Sequence, residues 1–221
     1  MLAYYPFNGN ANDLSGNNLN GSIQGGVNFT TDVSGKVNSA ASFDGTSGYI
    51  NVADNSNLLS PSSLTVSFLI NLKTFSSRNV MISKVNFADD LGFAYGLGTV
   101  YDNSYHFGFT INPSGADCSS SGYNTAPNTI SDGNTISPNT WYHVVAVFSD
   151  SIQKIYVNGS LRSSASKNYA SVNQCSNDKT FLIGAWWQGD IIYLNGSMDE
   201  IRVYNRELNQ DEINELAKPV K

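Results

Sequence analysis

Charge is scarce in this chain. Only 14% of its 221 residues are Asp, Glu, Lys or Arg, and they leave a net charge of −6. Nucleic-acid binding needs clustered Lys and Arg to neutralise phosphates. An acidic chain with 12 such residues excludes that class. Long apolar runs are also missing. None approaches the ~20 residues of a membrane-spanning helix. Met1 is followed almost at once by strand-like sequence rather than a signal-peptide pattern, so it reads as a domain border. Cysteine is limited to Cys118 and Cys175, and neither sits in a C-x-x-C pair, which argues against zinc. In a secreted protein these two would form one disulfide between long polar loops; in a reducing compartment they would be two thiols. Glutamate is absent before position 200. Only two histidines occur, His106 and His143.

The chain is rich in Asn, Ser, Gly and apolar residues. Hydrophobic residues reach 40%, and aromatics are spread along the chain, which excludes long disorder. Asn, Ser and Gly are the residues expected where many short strands are joined by turns. Leu64, Val66, Phe68, Ile70 and Leu72 alternate with mostly polar neighbours, as do Tyr105, Phe107, Phe109 and Ile111. A period of two predicts half-buried strands. Residues 92–98 repeat the pattern with Gly and Ala on the second face. A strand led by Trp141 runs to Phe148. A turn near Asp150 then leads to Lys154–Val157 and the hairpin dipeptide Asn158-Gly159. A single helix is marked: Asn209 with Glu212 three residues on is a capping box, and Leu208 and Ile213 suit the hydrophobic staple. With no composition shift along the chain, residues 1–217 read as one domain. Residues 218–221 read as the start of a linker.

Three segments carry a resemblance. Tyr4-Tyr5-Pro6-Phe7-Asn8-Gly9-Asn10-Ala11-Asn12-Asp13-Leu14-Ser15-Gly16-Asn17 opens the chain, the Trp141 strand with its Tyr156-Val157-Asn158-Gly159 hairpin lies in the middle, and Gly196-Ser197-Met198-Asp199-Glu200-Ile201-Arg202-Val203-Tyr204-Asn205-Arg206-Glu207-Leu208 closes it. In this order they resemble the laminin-G-like, concanavalin-A-like jelly-roll family. The resemblance implies an all-β sandwich of two antiparallel sheets with one short C-terminal helix, in which first and last strands pair. It also implies a structural calcium ion. The positions matching the family's ion site are Asn8 and Asn10, the backbone carbonyl of Gly45 in Phe43-Asp44-Gly45, and Asp199. Many relatives carry Asp where this chain has Asn8. The spacing is not that of an EF-hand, whose Gly and bidentate Glu would fall on Asp13 and Leu19. Without an ion, Asn8 and Asp13 would form Asx-turns.

A glycan surface needs exposed rings with amides and carboxylates beside them. Trp186 and Trp187 are adjacent, so on a strand one enters the core and the other faces ligand. Tyr193, Tyr101, Asp102, Asn103, His106 and Tyr123 are the further candidates. Small residues at Gly92, Ala94, Gly96, Gly98 and Gly108, with His106 and Thr110, suggest a shallow concave face. They equally permit sheet curvature alone.

Catalysis lacks a basis. Glycosidases of this broad fold use a Glu-x-Asp-x-Glu strand, and no central strand here carries a glutamate. Asp89-Asp90 reads as a solvated turn, and neither histidine has an evident nucleophile. The expectation is an extracellular or cell-surface carbohydrate-binding module, non-catalytic, within a larger protein. A protein-binding adhesin or spacer is the first alternative, and an atypical polysaccharide-degrading domain the second.

Overall fold

The computed structural model of the chain describes residues 1–53, 58, 62–75, 79–86, 93–112, 129–172, 179–186 and 192–218. Within them run β1 (Ala3–Tyr5), β2 (Gly21–Gln24), β3 (Val27–Thr30), β4 (Ala40–Asp44), β5 (Tyr49–Val52), β6 (Ser63–Leu72), β7 (Val80–Asn86) and β8 (Tyr95–Tyr101). Then follow β9 (Tyr105–Ile111), β10 (Thr129–Ser131), β11 (Trp141–Ser149), β12 (Ile152–Val157), β13 (Ser160–Ser166), β14 (Lys179–Ile183), β15 (Asn195–Tyr204) and α1 (Gln210–Leu216).

The strands form two antiparallel sheets. The first has the order β13-β12-β11-β6-β15-β4-β3, with β1 also on β15; the second has the order β10-β9-β8-β7-β14-β5-β2. Strand β15 is ten residues long and holds β4 along its first half and β1 along its second. Ala3, Tyr4 and Tyr5 stand opposite Val203, Arg202 and Ile201, so the first and last strands pair as expected.

Alternation decides which side chains meet between the sheets. Phe68 and Ile70 on β6, Val144 and Phe148 on β11, Leu97 on β8, Phe107 and Phe109 on β9 and Phe181 on β14 all join one buried core. The Asn158-Gly159 turn has φ of 50° and 78°, the left-handed pair that a tight β12–β13 hairpin requires. Outside the first sheet, α1 lays Ile213 and the preceding Leu208 onto Val145, Val147 and Tyr156. Its capping box is complete: the Asn209 side chain accepts from the Glu212 N–H, and the Glu212 carboxylate accepts from the Asn209 N–H. So short a helix is held by docking, since its own propensity is insufficient.

The outer face of the second sheet departs from expectation. Phe93 and Trp186 pack there with Val80, Val85 and Leu182 in a separate buried cluster. The small residues Gly96, Gly98, Gly108 and Thr110 are themselves buried, and Ala94 joins the main core instead. At Gly108 an added Cβ would meet Val100 Cγ2 at 2.5 Å, so this glycine serves packing.

Candidate functional site

Strands β8 and β9 turn through Asp102, Asn103 and Ser104, with the Asp102 N–H donating to the Ser104 carbonyl at 3.2 Å. Asn103 has φ of 83°, a region that Asn enters more readily than most residues. Strand register sets Tyr101 opposite Tyr105. Their ring centres lie 4.9 Å apart, and Phe75 stacks on Tyr105 at 4.5 Å. Tyr101 is therefore 58% exposed yet seated on a two-ring support. Asp102 and Asn103 are exposed beside it.

His106 sits one strand position past Tyr105 and so points to the other face. It is buried, and its Nε2 lies 2.6 Å from Asp102 Oδ1 and 3.0 Å from Ser104 Oγ. Burial works to lower the His106 pKa, but the Asn134 backbone and the Asp102 carboxylate outweigh it and leave the pKa raised. His106 thus fixes the hairpin from behind. The structure gathers Tyr101, Asp102, Asn103 and His106 at one hairpin and adds Phe75 and Tyr105. The period-two pattern marks Tyr105 as a strand residue; its contact with Phe75, 30 positions earlier, has no local signal.

Trp186 is corrected from ligand candidate to core residue. Only 3% of it is exposed, and its ring packs 5.6 Å from that of Phe93. Tyr193 belongs to the same flank, its ring stacked at 6.2 Å on Tyr49. Trp187, Tyr123, Cys118 and Cys175 lie outside the described residues, as do Gly92 and Asp89-Asp90.

Of the expected ion ligands, Asp199 lies on β15, and Asn8 and Asn10 lie just after its partner strand β1. Strand β15 bulges between Asp199 and Arg202, and Glu200 takes φ of 53°. Strand β1 ends at Tyr5 opposite Ile201, two residues from Asp199, and Asn8 follows three residues later. Asn10 follows, its Nδ2 donating to the Asn8 carbonyl at 3.2 Å and its Oδ1 accepting from the Asn12 N–H. Lys36 Nζ donates to Asn8 Oδ1 at 2.7 Å, and Asp32 Oδ1 accepts from the Lys36 N–H. Asp199 is 3% exposed and accepts one hydrogen bond, from the Glu200 N–H at 2.7 Å. Burial pushes its pKa up to about 8. The charges of Glu200 and Asp32 act in the same direction, against the Glu200 N–H and Arg202. A buried carboxyl among carboxylates is where a cation would be favoured.

Gly45 is not part of this group. Asn195 pairs with Asp44, and the Gly45 Cβ position lies 2.8 Å from Asn195 Cβ. Asp199 is four residues further along β15, about 13 Å away. Asp44 instead binds its own turn, accepting from the N–H groups of Thr46, Ser47 and Gly48. Asp13 is likewise engaged: it accepts from the N–H groups of Tyr4, Ser15 and Leu19.

All four glutamates are held in ion pairs: Glu200 with Arg202, Glu207 with Lys154, Glu212 with Arg206 and Glu215 with Lys218. Among the described residues no cluster of three or more His, Cys, Asp or Glu side chains suited to a metal occurs. Ligands for a cation near Asp199 would therefore come largely from amides and backbone carbonyls.

The chain belongs to the concanavalin A-like lectin/glucanase superfamily, whose laminin-G-type model matches residues 44–214. A search of curated proteins gives no match. Among solved structures, the chain is similar to domain 4 of an extracellular arabinanase from Geobacillus stearothermophilus, determined in complex with arabinotriose. The two share 20% identity over 98% of each chain, with a TM-score of 0.73. It is also similar to a botulinum neurotoxin type C structure described in terms of cell entry through two ganglioside molecules, at 17% identity and a TM-score of 0.70. There it covers 98% of this chain and 50% of the neurotoxin chain. The binding domain of Paraclostridial Mosquitocidal Protein 1 gives 16% identity and a TM-score of 0.68, over 98% of this chain and 51% of that one.

Proposed function

We propose that this domain is a non-catalytic carbohydrate-binding module of a larger extracellular or cell-surface protein, and that the β8–β9 hairpin is its glycan-binding rim. The observation that carries this is Tyr101, an exposed ring braced by Tyr105 and Phe75 with Asp102 and Asn103 alongside. A sugar's C–H face stacks on such a ring, while carboxylate and amide groups bind its hydroxyls and set its orientation. Bracing means that little side-chain freedom is lost on binding.

Glycoside hydrolysis needs two carboxyl groups placed across one bond. Each glutamate instead neutralises a cation in the β12, β15 and α1 region, which supports binding without bond cleavage. The arabinotriose complex and the ganglioside interaction named for structural neighbours favour the same reading.

Calcium is part of the proposal. Asp199 and the side-chain or backbone oxygens of Asn8 and Asn10 would hold it, with Asp32 close by and Lys36 displaced from Asn8. The ion would neutralise Asp199 and tie the end of β1 to β15. Its role is structural.

A glycan array run beside a reducing-sugar release assay tests the proposal. Retention without release is the expected result. Release would establish an enzyme, and neither outcome would favour a protein-binding adhesin or spacer.

A further inference from the structure

A cleft lies on the outer face of the first sheet. One row of side chains crosses that sheet. Asp199 on β15 pairs with Leu69 on β6, Leu69 pairs with His143 on β11, and the His143 carbonyl accepts from the Asn158 N–H. Helix α1 covers the next apolar positions of β11, Val145 and Val147, and stops at Ala217. Beyond its end the sheet is left open as a cleft of about 140 Å³. Leu69, Trp141 and His143 form its floor, Asn158 one side, and Val33, Ala217 and Lys218 rise around it.

Two features set this cleft apart from ordinary surface relief. Trp141 is only half-buried and offers a large aromatic surface beside the aliphatic Leu69. His143 is 5% exposed, and its Nδ1 is buried without a hydrogen-bond partner, while Nε2 lies 2.9 Å from Ser67 Oγ. A buried polar atom left unpaired destabilises the fold unless something else binds it. Val145 and Val147 show that apolar side chains suit this face, so packing does not account for a histidine here.

We propose that this cleft is a second carbohydrate subsite, taking one neutral sugar ring stacked on Trp141 with a hydroxyl directed to His143 Nδ1. A neutral imidazole has one donor and one acceptor nitrogen. A hydroxyl both donates and accepts, so it satisfies Nδ1 in either tautomer, whereas a carboxylate or an ammonium suits only one. Burial also holds His143 neutral, its pKa pushed down to about 4, and the Lys218 ammonium at the rim is paired with Glu215, so the cleft offers an anion no free charge. The side-chain oxygen of Asn158 already accepts from the His143 N–H at 2.9 Å. Its amide nitrogen donates to no described residue and stands ready for a second hydroxyl. The cleft volume suits a single ring rather than a chain, which makes it an end-on or side-branch site.

The subsite draws on the carbohydrate-binding proposal for its ligand class, but it uses none of the hairpin residues, so the two fail separately. The test follows the Trp141 indole N–H by two-dimensional NMR while neutral pentoses and hexoses are titrated into the whole protein. A saturable shift of that resonance is expected. Ala217→Phe, which fills the cleft from the helix end without touching the floor, should weaken it at least about tenfold, or ~1.4 kcal/mol. Tyr101→Ala should leave it unchanged. Absence of any Trp141 shift across the sugar panel would overturn the subsite, as would a shift that persists in the Ala217→Phe protein. Loss of hairpin binding in Tyr101→Ala with the Trp141 shift intact would show that the two sites are independent.

Discussion

The guanidinium of Arg202 lies over the ring of Tyr4, 4.4 Å from its centre. Residues 198 positions apart in sequence are thereby joined on the outer face of the first sheet. Glu200 completes the contact, accepting from the Tyr4 hydroxyl at 3.0 Å and pairing with Arg202. Burial, then the Glu200 charge, pushes the Tyr4 pKa up to about 12, against Arg202. The phenol thus keeps its proton and stays a donor at every ordinary pH.

Asp13 is the other half of this terminal latch. It accepts from three backbone N–H groups and from Ser15 Oγ at 2.8 Å. Burial works to raise its pKa, but those bonds prevail and leave it lowered. A depressed carboxyl contributes stability above its unfolded pKa and loses it as pH falls through the folded value. Asp13→Ala should cost roughly 2–3 kcal/mol in urea unfolding at neutral pH, because buried donors such as the Leu19 N–H lose their acceptor. The deficit relative to the parent protein should shrink in strong acid.

His143 also costs stability as pH falls, but in a higher window. Burial, then the Arg202 charge, lowers its pKa from 6.5 to about 4. The unfolded chain takes up a proton that the folded chain refuses, so stability is full above pH 6.5 and declines toward pH 4. The slope reaches at most about 1.4 kcal/mol per pH unit. A His143→Gln protein, followed by urea unfolding across that window, should show a flatter profile than its parent.

Trp186→Ala should act on stability. Emptying the Phe93–Trp186 cluster is expected to cost about 3–5 kcal/mol, read by thermal or urea unfolding. Glycan binding measured well below the melting temperature should persist.

Much of this architecture was legible in local pattern. The alternation in β6, β9 and β11, the Asn158-Gly159 turn and the Asn209–Glu212 cap are all short-range signals, and each lies where the pattern places it. Pairing of the end strands came from the family resemblance, since no local rule links Tyr4 to Arg202. The site was less legible. Adjacent tryptophans say that two faces are used, but not that the second sheet carries its own apolar cluster to bury Trp186. Phe43-Asp44-Gly45 fits the family motif, yet β15 register sets it four residues from Asp199. Trp141 and His143 read simply as strand residues, because the cleft above them depends on where α1 stops.

Calcium is tested by chelation. An ion bound only by the folded state stabilises it by about 2.7 kcal/mol at a hundred times its dissociation constant. Thorough chelation should lower the melting temperature, and readdition should restore it. Asp199→Asn should abolish that dependence. An unchanged melting curve after chelation would remove the ion.

The most direct measurement is affinity electrophoresis of the parent and Tyr101→Ala proteins through gels containing soluble neutral polysaccharides, arabinan among them. The account predicts that at least one polysaccharide retards the parent, that Tyr101→Ala runs markedly faster in that gel, and that both migrate alike in a sugar-free gel. Equal retardation of the two proteins, or free migration of the parent through every polysaccharide, would contradict it.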